Sequence, residues 1–114
     1  MLFAVSPNIE HGPQNYTVID TERKNVTMYC NATGRPAARL YWVRVRDGTT
    51  VASGNTLHIT AADRSDRGEY RCVADNGVGS PAIKSAYLDV HCEFFFLPFF
   101  YQVRQALLLE KFKP

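Results

Sequence analysis

The chain has 114 residues, of which 46% are hydrophobic and 21% are charged, and its formal net charge is +2. This length suffices for one domain of about 100 residues with its own core, but not for two. The apolar content excludes an intrinsically disordered chain, and the small net charge argues against a dedicated nucleic-acid binder. No run of 18 apolar residues marks a membrane span.

Up to residue 91, apolar and polar residues alternate over short runs, which is the pattern of half-buried strands rather than helices. Turn residues separate the runs, and Asn76-Gly77 suits a tight hairpin. Several short strands with little room for helices predict an all-β sandwich. In chain order, the predicted strands cover residues 25–30, 40–43, 56–59, 68–74 and 86–90.

Four residues at fixed spacings sharpen this prediction. Cys30, Trp42 and Cys72 fall on the inward faces of three predicted strands, and Tyr70 precedes Cys72 by two residues. These residues resemble the immunoglobulin superfamily, and the stretch Asp66-x-Gly68-x-Tyr70-x-Cys72-x-Ala74-x-Asn76-x-x-Gly79 resembles its I-set subtype. The resemblance covers residues 7–91 and is to the I-set subtype of cell-adhesion molecules and receptor ectodomains.

The resemblance implies an immunoglobulin-like β-sandwich of two antiparallel sheets joined by a Cys30–Cys72 disulfide. It also implies that Trp42 packs on this bridge and that Tyr70 forms a tyrosine corner. Closing a loop of about 40 residues would stabilise the domain by about 4 kcal/mol. Zinc ligation is the rival interpretation of the cysteines, but no second pair of ligands stands at a suitable spacing.

In many members of this family, the aspartate at the position of Asp66 pairs with a basic residue near the fourth strand. Residues 48–62 contain neither lysine nor arginine. Either Arg44, Arg46 or Arg64 replaces that residue, or the pair is absent.

Three Asn-x-Ser/Thr sequons begin at Asn15, Asn25 and Asn31. Asn25 and Asn31 have the opposite parity to Cys30, so we expect both to face solvent, where glycans can be carried. Together with a structural disulfide, the sequons predict an extracellular or cell-surface location, as part of a longer protein.

Glycans at Asn25 and Asn31 would cover one sheet and leave the other open for a partner. The outward residues predicted on the open sheet are Tyr41, Val43, Val73 and Tyr87. Exposed aromatic and aliphatic groups with a charged border are typical of protein–protein contacts. The alternative is that such residues simply favour strands. A basic stretch, Arg35, Arg39, Arg44 and Arg46, could instead bind an acidic polysaccharide.

Nothing in the sequence assembles a catalytic or metal site. His58 lies between two inward residues, and His11 and His91 lie near the ends of the domain. Ser65 and Asp66 have no histidine placed to act as a base, and the acidic residues around them lack a calcium-loop pattern. We therefore expect no enzyme activity, no metal and no cofactor.

The two ends of the chain do not resemble domain sequence. The first seven residues lack the features of a signal peptide, which suggests a fragment of a longer protein. Six of the seven phenylalanines lie between Phe94 and Phe112. We expect the apolar tail, residues 92–114, to lie outside the domain, for instance as read-through past its coding boundary. A short membrane-surface helix is the alternative there, and Cys92 is either an idle thiol or a link between chains.

These features predict a non-enzymatic protein–protein recognition module of an adhesion molecule or receptor. Its partner would be another cell-surface or extracellular protein, a second copy of the chain included, and not a nucleic acid. Membrane association would come only from parts absent from this chain. The rivals are a domain of a structural intracellular I-set array and the ligand-binding domain of a receptor kinase.

Overall fold

In a computed structural model of the protein, residues 3–91 are described, and they form nine β-strands in two facing layers. Single 3-10 turns at Asp20–Glu22 and Arg64–Asp66 interrupt the strands. The strands are β1 (Val5–His11), β2 (Tyr16–Ile19), β3 (Val26–Tyr29), β4 (Asn31–Arg35), β5 (Arg39–Arg44), β6 (Thr49–Ser53), β7 (Thr56–Ile59), β8 (Gly68–Asp75) and β9 (Ala82–His91).

One layer is a five-stranded sheet with the strand order β2-β9-β8-β5-β6. Strand β2 runs parallel to β9, and the other neighbours are antiparallel. The second layer consists of the antiparallel pairs β1–β4 and β3–β7. Because Cys30 alone separates β3 from β4, these two pairs form one continuous layer. We call the outer surface of the five-stranded sheet the front face and the outer surface of the second layer the back face.

Alternate residues of both layers meet in a single core, as the sequence pattern predicts. In β3, Val26 and Met28 are buried while their neighbours are exposed. In β9, Ala86, Leu88 and Val90 repeat this pattern. The largest fully buried side chains are Trp42, Met28, Leu88, Cys30 and Cys72.

A disulfide joins the two layers at the centre of the core. Cys30 lies between β3 and β4, Cys72 lies on β8, and their Cα atoms are 6.5 Å apart. The predicted all-β sandwich with an inter-sheet disulfide is therefore confirmed.

The structure differs from the predicted elements in two ways. Strands β1, β2, β4 and β6 were not predicted, because their sequences alternate weakly and contain proline, glycine or polar residues. The predicted tight hairpin at Asn76-Gly77 was wrong. Strand β8 ends at Asp75 and β9 begins at Ala82, so a six-residue connection joins them.

The predictions for residues 92–114, including the role of Cys92, lie outside the described residues. Strand β9 ends at His91, and the domain boundaries stay predictions. Within residues 3–91, no helix is long and apolar enough to cross a membrane.

Candidate functional site

The front face carries a row of apolar side chains that crosses three strands. Tyr41 on β5 lies opposite Val73 on β8, and Val73 lies opposite Ile83 on β9. Because directly opposed residues bring their Cβ atoms within about 5 Å, these three side chains lie side by side. We call them the apolar row.

The other predicted partner residues lie on the same face. Val43 has the parity of Tyr41 and stands opposite Arg71, and Tyr87 stands opposite Glu69. Tyr87 is 45% exposed. The structure thus brings Tyr41, Val43, Val73 and Tyr87 to one side of one sheet.

The prediction that Val73 is exposed was wrong. Only 6% of Val73 is accessible, although it points away from the core cluster. Its central strand is flanked on both sides, and Tyr41 and Ile83 stand opposite it in register. Strand parity gives the direction of a side chain, whereas neighbours on the same face decide whether water reaches it.

Sequence reasoning missed Ile83, which is 51% exposed and forms the outer end of the apolar row. The predicted last strand began at residue 86, whereas β9 begins at Ala82. Ser85 and Tyr87 share the parity of Ile83, so extending the predicted last strand toward the start of the chain would have placed Ile83 on the front face.

Charged groups border the apolar residues. Arg39 stands opposite Asp75 at one end of the face, and Arg67 pairs with Asp89 at 3.7 Å near the other. Arg71 lies inside the face, between Val43 and Ser85 and beside the apolar row, and its Nε is buried without a hydrogen-bond acceptor among the described residues. Aromatic and aliphatic side chains next to an arginine, with charged groups at the edge, are typical of a protein contact surface.

The basic stretch around β5 does not form one cationic surface. Arg44 pairs with Asp47 at 3.3 Å, and Arg46 donates a hydrogen bond to the carbonyl oxygen of Ser65. The backbone N–H of Thr49 and the guanidinium of Arg44 lower the pKa of Asp47 from 3.8 to about 2. Asp47 therefore stays ionised and neutralises the charge of Arg44, one of the four arginines. This pairing weakens the alternative that the basic stretch binds an acidic polysaccharide.

The four signature residues occupy the positions that the resemblance implies. Trp42 is fully buried opposite Cys72, and its Nε1 donates a hydrogen bond to the carbonyl oxygen of Gly54 at 3.1 Å. The Tyr70 hydroxyl donates to the carbonyl oxygen of Asp66, and burial raises the pKa of this phenol. Gly68 has a φ of +142°, a conformation that favours glycine.

Asp66 makes no ion pair with Arg44, Arg46 or Arg64 among the described residues; these bind other partners. Its carboxylate instead accepts a hydrogen bond from the backbone N–H of Asp63 at 3.0 Å. The Asp63 carboxylate in turn accepts from the N–H of Ser65, which completes a capping box. The local cap satisfies Asp66, so no distant basic residue is needed.

The three sequon asparagines lie in different surroundings. Asn15 and Asn25 are exposed, while Asn31 is half-buried on the back layer. The Oδ1 of Asn15 accepts a hydrogen bond from the N–H of Tyr87 at 2.8 Å, so Asn15 lies at the edge of the five-stranded sheet. The Oδ1 of Asn25 accepts from the N–H of Ala61 at 3.0 Å.

Asn76 stands in the stretch that resembles the I-set subtype, but its structural role was not predicted from the sequence. Its Nδ2 donates to the carbonyl oxygens of Val5 at 2.8 Å and Pro36 at 2.9 Å, while its Oδ1 accepts from the N–H of Val78. Asn76 thereby ties β1 and the β4–β5 connection to the β8–β9 connection. Gly34 lies against it, because a Cβ there would stand 2.8 Å from Nδ2.

The histidines and acidic residues form no reactive cluster in the part of the chain that the structure describes. Between residues 3 and 91, no group of three or more His, Cys, Asp or Glu side chains is placed to hold a metal ion. His58 is exposed and hydrogen-bonds to the Thr27 hydroxyl at 2.9 Å, while His91 approaches Asp89 at 3.3 Å.

Comparisons with known proteins agree with this geometry. A sequence model of the family described as "Immunoglobulin domain" matches residues 6–76. The chain is 40% identical to hemicentin-2 of Mus musculus over 87 residues, which are 70% of this chain and 2% of the relative. It is 37% identical over 82 residues to MAM domain-containing glycosylphosphatidylinositol anchor protein 2 of Homo sapiens, which are 67% of this chain and 8% of the relative. The chain thus spans a small part of these relatives.

Among solved structures, the crystal structure of Dpr2 Ig1-Ig2 in complex with DIP-Theta Ig1-Ig3 superposes with a TM-score of 0.66 at 28% identity. The match covers 77% of this chain and 33% of that chain. The sandwich, its inter-sheet disulfide and these matches lead to one conclusion: the chain belongs to the immunoglobulin superfamily.

Proposed function

We propose that this domain is a non-enzymatic recognition module of the I-set type that binds another protein through its front face. The observation that carries the proposal is the apolar row, Tyr41, Val73 and Ile83, which crosses three strands in register and is bordered by charges. A front-face contact of standard size would bury about 800 Å² on each partner.

The comparisons support a protein partner and an extracellular location. One relative is by name a glycosylphosphatidylinositol anchor protein, and one matching structure is a complex between two immunoglobulin-domain proteins. We therefore propose a cell-surface or extracellular partner, a second copy of this chain included. Attachment to a membrane would come from parts of a longer protein.

Two other settings use the same fold, and each makes a different prediction. A domain of an intracellular structural array would carry no glycan at Asn15, Asn25 or Asn31 and would keep Cys30 and Cys72 reduced. A domain of a receptor kinase would share the front-face binding. Peptide mapping of the native protein for glycans and for the Cys30–Cys72 bridge separates the intracellular setting from the other two.

The binding experiment uses the full chain, presented in many copies on beads, against a panel of purified immunoglobulin-domain ectodomains that includes the chain itself. Ile83→Arg places a charge at the exposed end of the apolar row. His58→Arg adds the same charge to the back face and serves as the matched control. Circular dichroism verifies that both variants are folded.

We expect Ile83→Arg to weaken binding to any partner found in the panel by at least tenfold, because a desolvated charge at an apolar contact is costly. His58→Arg should bind as the unchanged chain does. Equal loss in both variants, or no loss in Ile83→Arg, would contradict a front-face contact.

A further inference from the structure

Tyr29 is an exposed aromatic side chain on an otherwise polar part of the back face. It is 54% exposed, more than any other described tyrosine. Its neighbours on β3 and β7 are Thr27, Thr56 and His58, which are all polar. No group within residues 3–91 hydrogen-bonds to the Tyr29 hydroxyl, so neither packing nor hydrogen bonding explains this ring.

The sequon at Asn31 begins two residues after Tyr29 on the same side of the layer. Met28, Cys30 and Ala32 pack into or against the core, and Tyr29 and Asn31 alternate with them. Residues two apart on an extended chain point to the same face and lie roughly 7 Å from each other. A group attached to the Asn31 carboxamide therefore stands next to the Tyr29 ring.

The three sequons differ in how their carboxamides are held. Backbone N–H groups bind the Oδ1 atoms of Asn15 and Asn25 and fix their orientation. The side chain of Asn31 is half-buried but makes no hydrogen bond to the rest of the described chain, so no hydrogen bond has to break for it to turn toward Tyr29. The exposed ring and the carboxamide without a hydrogen bond are independent observations at one place.

We infer that Asn31 carries an N-linked glycan whose first N-acetylglucosamine packs on the ring of Tyr29. One face of this sugar presents C–H groups, and the face of an aromatic ring carries the negative part of its quadrupole. The contact covers the exposed ring and restrains the glycan over the back face. Tyr29 is thus part of a modification site, and the inference rests on the extracellular location in the proposed function.

The test compares glycoforms of the full chain, secreted from eukaryotic cells behind a cleavable leader. Thr17→Ala and Thr27→Ala remove the other two sequons but keep Asn15 and Asn25, so their backbone hydrogen bonds survive. Thermal unfolding then compares three forms of the chain. The first carries the intact glycan at Asn31, the second carries the single N-acetylglucosamine that an endoglycosidase leaves, and the third is the Thr33→Ala variant without a glycan.

We expect Thr33→Ala to melt about 3–6 °C below the glycosylated chain, because losing one aromatic contact lowers the melting temperature of a domain of this length by about that much. The single sugar should retain the full effect. In a Tyr29→Ser background the difference between glycosylated and unglycosylated chains should fall to the effect of the Thr33 substitution itself, and in a Tyr29→Phe background it should persist in full. Comparing the same Thr33 substitution in each background cancels its own effect on the fold.

Mass spectrometry that finds Asn31 unoccupied would overturn the inference, as would an equal melting difference in the Tyr29→Ser background. A chain that shows the Tyr29-dependent shift but binds no protein would contradict the proposed function alone. A chain that binds through the front face but shows no such shift would contradict only the glycan contact.

Discussion

The front and back faces are both outer surfaces of one sandwich, yet they differ in what their strands present. The front face carries an apolar row across β5, β8 and β9 with charges at its border. The described back face around β3 and β7 presents threonines, His58 and a single large aromatic, Tyr29. Two of the three sequons, at Asn25 and Asn31, belong to the back layer.

This difference teaches that a wide sheet can bury a side chain on its outer surface. Val73 lies on the central strand β8 and is shielded by neighbours, whereas Tyr29 lies on a two-stranded pair and stays exposed. The same strand parity therefore has different consequences on the two faces.

The largest expected effect comes from the disulfide that joins the two layers. Replacing Cys30 and Cys72 by alanine should lower the free energy of unfolding by about 4 kcal/mol, because the unfolded chain regains the entropy of a 42-residue separation. Denaturant unfolding of the double variant measures the loss. A loss below about 1 kcal/mol would show that packing alone holds the faces together.

The next effect concerns Asn76, which ties β1 on the back layer to the β8–β9 connection. Asn76→Ala should cost about 2 kcal/mol, because two carbonyl oxygens lose their donor. Gly34→Ala should destabilise the chain through the same contact, since its Cβ would displace the Asn76 amide. In a double-variant cycle by urea unfolding, the two costs should be less than additive. Full additivity would contradict the contact.

Val73 and Val43 provide a matched pair on the front face. Val73→Ala should cost about 1.5 kcal/mol, the value of two buried methyl groups, and Val43→Ala clearly less, because Val43 is half-exposed. Chemical denaturation of the two variants makes the comparison. Equal costs would mean that Val73 is as exposed as its strand parity predicts.

The smallest expected effect on stability is electrostatic. It comes from Asp47, which lies beside β6 at the edge of the five-stranded sheet. The pKa of Asp47 is lowered from 3.8 to about 2, so the folded chain favours the ionised carboxylate. This contribution to stability is complete above about pH 5 and is lost progressively as the pH falls through the folded pKa near 2. Asp47→Asn should flatten the stability profile in this window, as measured by unfolding between pH 2 and 5. An unchanged profile would contradict the lowered pKa.

The inward faces of the strands could be predicted from the sequence because Cys30, Trp42 and Cys72 stand at alternating apolar positions, and all three are fully buried. Exposure on the outer faces could not, since it depends on which strands are neighbours. Ile83 was missed because β9 starts earlier than its apolar alternation does. The hydrogen-bonding role of Asn76 was missed because its partners, Val5 and Pro36, are distant in sequence.

The central claim, recognition through the front face, is tested most directly by methyl cross-saturation NMR on the complex with a bound partner. Saturation transferred from the partner should attenuate the methyl signals of Ile83 and Val43 on the front face and leave the methyl signal of Thr27, which is exposed on the back face, unchanged. Attenuation at Thr27 with full signals at Ile83 and Val43 would contradict the account.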